Sequence, residues 1–115
     1  VSMDRFQLLL SSGVITEQTC EKAVRIQNSL ADRFAQEEAL DMFVTHYAMA
    51  LERQNRQEII SGPDQAVFSE IVRSAHYPQA CSLLQELDDL TQSEFPEPEQ
   101  QFMIMHLVTL IDRNS

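Results

Sequence analysis

The sequence predicts an all-α fold, and three observations carry that expectation. Glycine stands only at positions 13 and 62 and proline only at 63, 78, 96 and 98, so chain breakers are few and well separated. Between them apolar residues recur at three-and-four spacing, the period of a helix that buries one face. No two alternating runs flank a turn in the manner of a hairpin. With 115 residues, 13.2 kDa and 43% hydrophobic residues, the chain makes one domain able to bury a core without disulfides or a structural metal.

Residues 1–15 read as an N-terminal arm or short helix, with Phe6, Leu9 and Leu10 as its apolar residues and Gly13 as its stop. The helical domain proper is expected over 16–113. Thr16 is a good N-cap for the next helix, with Ile15 before it and Cys20 at the staple position. Ala23, Ile26, Leu30 and Phe34 then form one apolar line to about Ala35. A second long helix, from about Glu37 to Gln54, carries Leu40, Phe43, Val44, Tyr47 and Leu51 on one face. The Ser61-Gly62-Pro63-Asp64 turn launches a shorter helix ending around His76, with Pro63 suited to its first turn and Val67, Phe68, Ile71 and Val72 as its apolar face. Pro78 opens a helix through Leu83, Leu84, Leu87 and Leu90 that frays by Ser93. After the stiff acidic stretch 94–99, Pro98 starts a last helix that is apolar nearly all round from Phe102 to Ile111. Such a helix must be central or covered by a partner.

Composition excludes several classes of function. Eight Lys and Arg against eighteen Asp and Glu give a net charge of −10, with no basic run to neutralise phosphates, so direct nucleic-acid binding is not expected. No apolar stretch approaches the ~20 residues needed to span a bilayer. Cys20 and Cys81 make neither a disulfide framework nor a metal set, and no signal-peptide pattern opens the chain, so a reducing cytoplasm is the expected setting. HExxH, CxxC and glycine-rich phosphate loops are all missing, which argues against a metalloenzyme or a nucleotide hydrolase and predicts no cofactor.

Two histidines stand out. On a helical wheel Leu40, Val44, Tyr47 and Leu51 share a narrow arc, and His46 lies well away from it, on a stripe with Met42, Met49 and Arg53. In the last helix Glu99, Phe102, His106 and Arg113 share one side, so His106 has an acid two turns before it and an arginine two turns after. A carboxylate so placed could orient an imidazole, although two turns is ~10.8 Å along the axis. Arg113 reads as a partner for the helix C-terminus.

The stretch Thr45-His46-Tyr47-Ala48-Met49-Ala50-Leu51-Glu52-Arg53 resembles the first signature of the PTS regulation domain family, a histidine seven positions before an arginine. The stretch from Glu97 to Leu107 resembles the second, with Glu99 seven positions before His106 in an apolar helix. The sixty-residue separation and the His76-Tyr77-Pro78 step also suit that family. The resemblance covers about residues 16 to 112 and implies a compact five-helix bundle. It further implies a regulatory phosphoacceptor domain, not an enzyme, that controls bacterial sugar-use genes when phosphorylated on histidine. The phosphocarrier protein or a sugar-specific phosphotransferase component would be the donor, and a homodimer with the histidines near its interface the form. His46 and His106 match the family's phosphoacceptor positions, Arg53 and Glu99 its other recurrent positions, and His76 none of them. Family members normally carry paired copies fused to an RNA- or DNA-binding module, whereas this sequence has one copy, so it acts through a partner or belongs to a larger regulator. The family's turn after the arginine often holds a glycine where Asn55-Arg56-Gln57 stands here. The competing expectation is a passive helical dimerisation module whose histidines are never modified.

Overall fold

A computed structural model describes the backbone of residues 2–35 and 37–115 and the side chains of residues 5–35 and 38–115. The described residues form six helices and no strand: α1 (Ser2–Ser11), α2 (Glu17–Ala31), α3 (Glu37–Asn55), α4 (Gln65–Val72), α5 (Tyr77–Thr91) and α6 (Glu97–Arg113). The expected count of five is therefore corrected to six. The additional helix is α1, where Phe6, 1% exposed, and the partly buried Leu9 and Leu10 form a face that docks on α2 and the core. Residues at i, i+3 and i+4 cover one side of a helix, so this short segment gains burial by coiling that an extended arm would forgo.

Helix α3 is the centre of the bundle and packs on both α2 and α6. Its buried residues include Leu40, Phe43, Val44, Tyr47, Ala48, Ala50 and Leu51, and α5 and α6 close the core with Leu83, Leu87, Met103, Leu107 and Leu110. Burying each large aliphatic or aromatic side chain is worth about 1.5–3 kcal/mol, so this cluster dominates the folding energy. Thr16 caps α2 as expected, its hydroxyl accepting from the Thr19 N–H at 3.2 Å. Helix α4 starts two residues later than Pro63 suggests, at Gln65. Asp64 is its N-cap, accepting from the N–H groups of Ala66 and Val67 at 2.8 and 3.3 Å, because a carboxylate satisfies two free donors where proline only presets a dihedral. The helix ends at Val72, short of His76. None of its residues is buried: Val67 and Val72 are exposed, and Phe68 and Ile71 are only partly covered. Leu90 likewise faces outward, its neighbours Leu87 and Thr91 taking the buried positions.

Two buried polar contacts fix how α3 meets its neighbours. The Tyr47 hydroxyl lies 2.9 Å from both Asp88 Oδ1 and Thr91 Oγ1 of α5, donating to the carboxylate. Glu52, 4% exposed, accepts from the Thr16 N–H at 2.9 Å and from its hydroxyl at 3.1 Å, so α3 holds the start of α2. Burial pushes the Asp88 carboxyl up to about 6, opposed by the Tyr47 hydrogen bond and assisted by the negative charges of Asp89 and Glu94.

Because the folded state then binds the Asp88 proton more tightly than the unfolded state, stability falls as pH rises from about 4 through about 6 on this account. Asp88→Asn keeps an acceptor for Tyr47 and removes the charge. It is expected to raise the denaturant midpoint at pH 8, by about 2 kcal/mol in stability, with the gain shrinking as pH approaches 4. Unfolding curves of both proteins across that range are the check.

Candidate functional site

The crossing of α3 and α6 places the two singled-out histidines against each other. Their ring centroids are 4.1 Å apart with an interplanar angle of 24°, a stacked pair. Two turns along each helix from this contact the same helices meet again through Arg53 and Glu99. Arg53 donates from Nε to Glu99 Oε2 at 2.7 Å and from Nη2 to Oε1 at 2.9 Å, a two-pronged ion pair. Seven residues separate histidine from charged residue in both helices, about 10.5 Å of rise, but in opposite order. Antiparallel packing therefore turns two sequence spacings into a ladder of two rungs, imidazole on imidazole and guanidinium on carboxylate.

All four sequence-predicted site residues, His46, His106, Arg53 and Glu99, thus come together, and His76 does not join them. His76 sits at the start of α5 with Nε2 3.5 Å from Asp112 Oδ1. Glu99 does not orient the imidazole of His106. Its carboxylate, 4% exposed, is taken up by Arg53, because a buried acid finds more stabilisation in a two-pronged guanidinium contact than in a neutral ring two turns away. Arg113 stays in the exposed last turn of α6.

Sequence reasoning placed Phe102 beside His106 but missed the other walls of the groove that the ladder floors. Ile60 and Ser61, from the segment between α3 and α4, and Phe102 and Met103 of α6 complete a groove of about 460 Å³ with the four ladder residues. Two features deliver the segment. Gln57 adopts φ 59°, in the left-handed region that favours glycine, at the turn where a glycine is often found in the family. A non-glycine residue there costs about 1 kcal/mol. Gly62 then passes so close to α6 that a Cβ would lie 3.2 Å from Gln101 Oε1 and 3.7 Å from Pro98 Cα. No helical period reports on such a loop, although the paired breakers Gly62 and Pro63 mark it. On the other side of His46 a second hollow of about 510 Å³ is bordered by Arg5, Glu38, Asp41, Met42 and Thr45.

His46 is exposed and His106 partly buried, and among the described residues no hydrogen bond occupies a nitrogen of either ring. Partial burial lowers the pKa of both. The neighbouring Arg53 adds to the effect on His46, and the positive charge of a protonated His46 adds to the effect on His106, which falls to about 4. Two rings in contact cannot both carry a proton cheaply, so both stay neutral and keep a lone pair available near neutral pH. No cluster of three or more His, Cys, Asp or Glu side chains suited to a metal ion occurs among the described residues. No helix of the described residues is long and apolar enough to cross a membrane.

These features define an all-helical domain with a paired-histidine groove, and comparison with known proteins names its family. The family model described as PRD domain matches residues 23–110, and the chain belongs to that family. It is 28% identical over 109 residues to the uncharacterized protein YhfY of Escherichia coli (strain K12), covering 92% of this chain and 91% of that protein. No solved structure matches.

Two outcomes are expected from the site's electrostatics. In an NMR titration the ring resonances of both His46 and His106 should move with midpoints below 6.5, that of His106 near 4. As the folded pKa values are lowered, the stability linked to these rings is complete above pH 6.5 and declines as pH falls. Arg53→Ala strands a buried carboxylate and should cost about 3 kcal/mol. Glu99→Gln frees a guanidinium that can turn to solvent, and should cost only about 1 kcal/mol. Denaturant unfolding of the two variants measures the asymmetry.

Proposed function

We propose that this domain is a histidine phosphoacceptor, modified on His46 or His106 by components of the bacterial phosphotransferase system, whose phosphorylation state controls sugar-use gene expression. The observation that carries this reading is the stacked, neutral imidazole pair at an open groove, beside a guanidinium held by a single carboxylate. The donor is the phosphocarrier protein or a sugar-specific phosphotransferase component, as family membership suggests, and the setting is cytoplasmic.

Chemically, the domain needs no metal or cofactor of its own. The donor brings an activated phosphoryl group, and the domain supplies a nucleophilic nitrogen. Phosphorylation adds about −1.5 to −2 charges, by analogy with other phosphorylated side chains, to a surface already at −10. Arg53, on the same helix face as His46, can turn from Glu99 toward the new anion. Glu99 is then left buried without its cation, and the contact between α3 and α6 loosens. A coupling of ~1–3 kcal/mol suffices to shift a population, and the Arg53–Glu99 exchange lies on that scale.

The output runs through association with a partner, a homodimer in the first instance. Exposed Met42, bordering the hollow beside His46, and the partly covered Phe102, lining the groove with both rings, offer apolar surface next to the acceptors. The exposed α4 face with Val67 and Val72 favours a second reading, a passive interaction module, since it lies apart from the histidines.

Incubation with phosphoenolpyruvate, the general phosphotransfer enzyme and the phosphocarrier separates the two readings. Acid-labile labelling that is lost in the His46→Ala/His106→Ala double variant, with a change in sedimentation on labelling, is the expected result. A chain that takes no label from active donors is the passive module.

A further inference from the structure

We propose that His46 and His106 form one shared acceptor that holds a single phosphoryl group, occupancy of either ring excluding the other. The inference rests on the phosphoacceptor reading above and concerns how that site is regulated.

The geometry gives two routes to exclusion. With centroids 4.1 Å apart, each ring covers one face of the other, and both open into the same groove. A donor protein docked over one imidazole therefore covers the second. The charges act in the same direction. A group on either ring lies within a Debye length, about 8 Å at physiological salt, of any group on the other. In the groove one cation, Arg53, serves both, and its Nε and Nη2 are already committed to Glu99. On the far side of His46 the carboxylates of Glu38 and Asp41 stand with Arg5, so no net positive charge awaits a second anion there.

The transfer is balanced as an exchange between nitrogens. The lone pair of one neutral imidazole nitrogen forms the new N–P bond while the N–P bond of the donor's phosphohistidine breaks. The departing electron pair stays on the donor ring, which gains a proton as the acceptor ring loses its N–H proton. After the first exchange the other ring retains its lone pair but faces an anion across the stack. Two groups of about −1.5 to −2 charges a few ångströms apart should disfavour double occupancy at least tenfold relative to independent sites, even with water-like screening.

The test is intact-mass analysis at alkaline pH, using the full chain with excess phosphoenolpyruvate, general phosphotransfer enzyme and phosphocarrier. Wild type, His46→Ala, His106→Ala and the double variant are compared, with circular dichroism confirming that each is folded. The expected pattern is one phosphoryl group on wild type, one on each single variant and none on the double variant. Fragmentation of wild type should then find the group on either ring in separate molecules. A large doubly phosphorylated wild-type fraction overturns the exclusion and leaves the acceptor reading standing. Label confined to one histidine in all folded forms overturns the sharing. Absence of any label from wild type removes the acceptor reading itself, and this inference with it.

Discussion

The buried carboxylate of Glu99 is the constraint on which the site depends. Placed in the first turn of α6 and almost wholly shielded from water, it requires a cation, and Arg53 of α3 is the group that reaches it. An ion pair with one buried partner is poor evidence for extra stability, since desolvation offsets much of the attraction. Its value here is in alignment. A fork of two hydrogen bonds admits few offsets between the helices, and a slip of one residue along either would break it. Once α3 and α6 are held in that alignment, the stacking of His46 on His106 follows from equal spacing on antiparallel axes.

Helix α3 acts as the hub through residues that sit close together in sequence and point in different directions. Tyr47 reaches α5, Glu52 reaches the start of α2, and Arg53 and His46 reach α6. The apolar core supplies the energy of assembly, but apolar contacts tolerate sliding and repacking. The buried polar links do not, because each leaves an unsatisfied group when its partner moves. Core and links thus divide the work, one driving collapse and the other selecting a single arrangement in which an outward-facing histidine is presented rather than swallowed.

Much of this was legible in the residues. Periodicity located the five principal helices, Thr16 announced its own cap, and the wheel put Tyr47 inside and His46 outside. Family signatures selected the four residues of the ladder. The failures have a common cause: a helical wheel reports the direction a side chain takes from its own axis and nothing about which helix waits there. Glu99 could accordingly be weighed only against its own helix, as an orienter of His106 or a charge at the first turn, when its partner lay on another. The apolar residues of α4 looked like core for the same reason, although that short helix rests on α6 and, through Phe68, on Tyr77 of α5, and leaves Val67 and Val72 in solvent. Phe6, Leu9 and Leu10 were too few to distinguish arm from helix until their docking surface was known. One signal did lie in plain view. Histidine before arginine in one helix and acid before histidine in the other is the order that antiparallel neighbours require.

The ladder also makes the imidazole pair separable from the bundle that carries it. The two rungs are carried by different side chains, so replacing the imidazole at position 46 or 106 would remove the stack while the ion pair of Arg53 and Glu99 stayed intact. Drift of this kind leaves the overall shape undisturbed, and a descendant could keep every helix while losing its capacity to signal. Among relatives of this chain, kinship of fold is consequently a weaker guide to shared behaviour than the identity of two side chains.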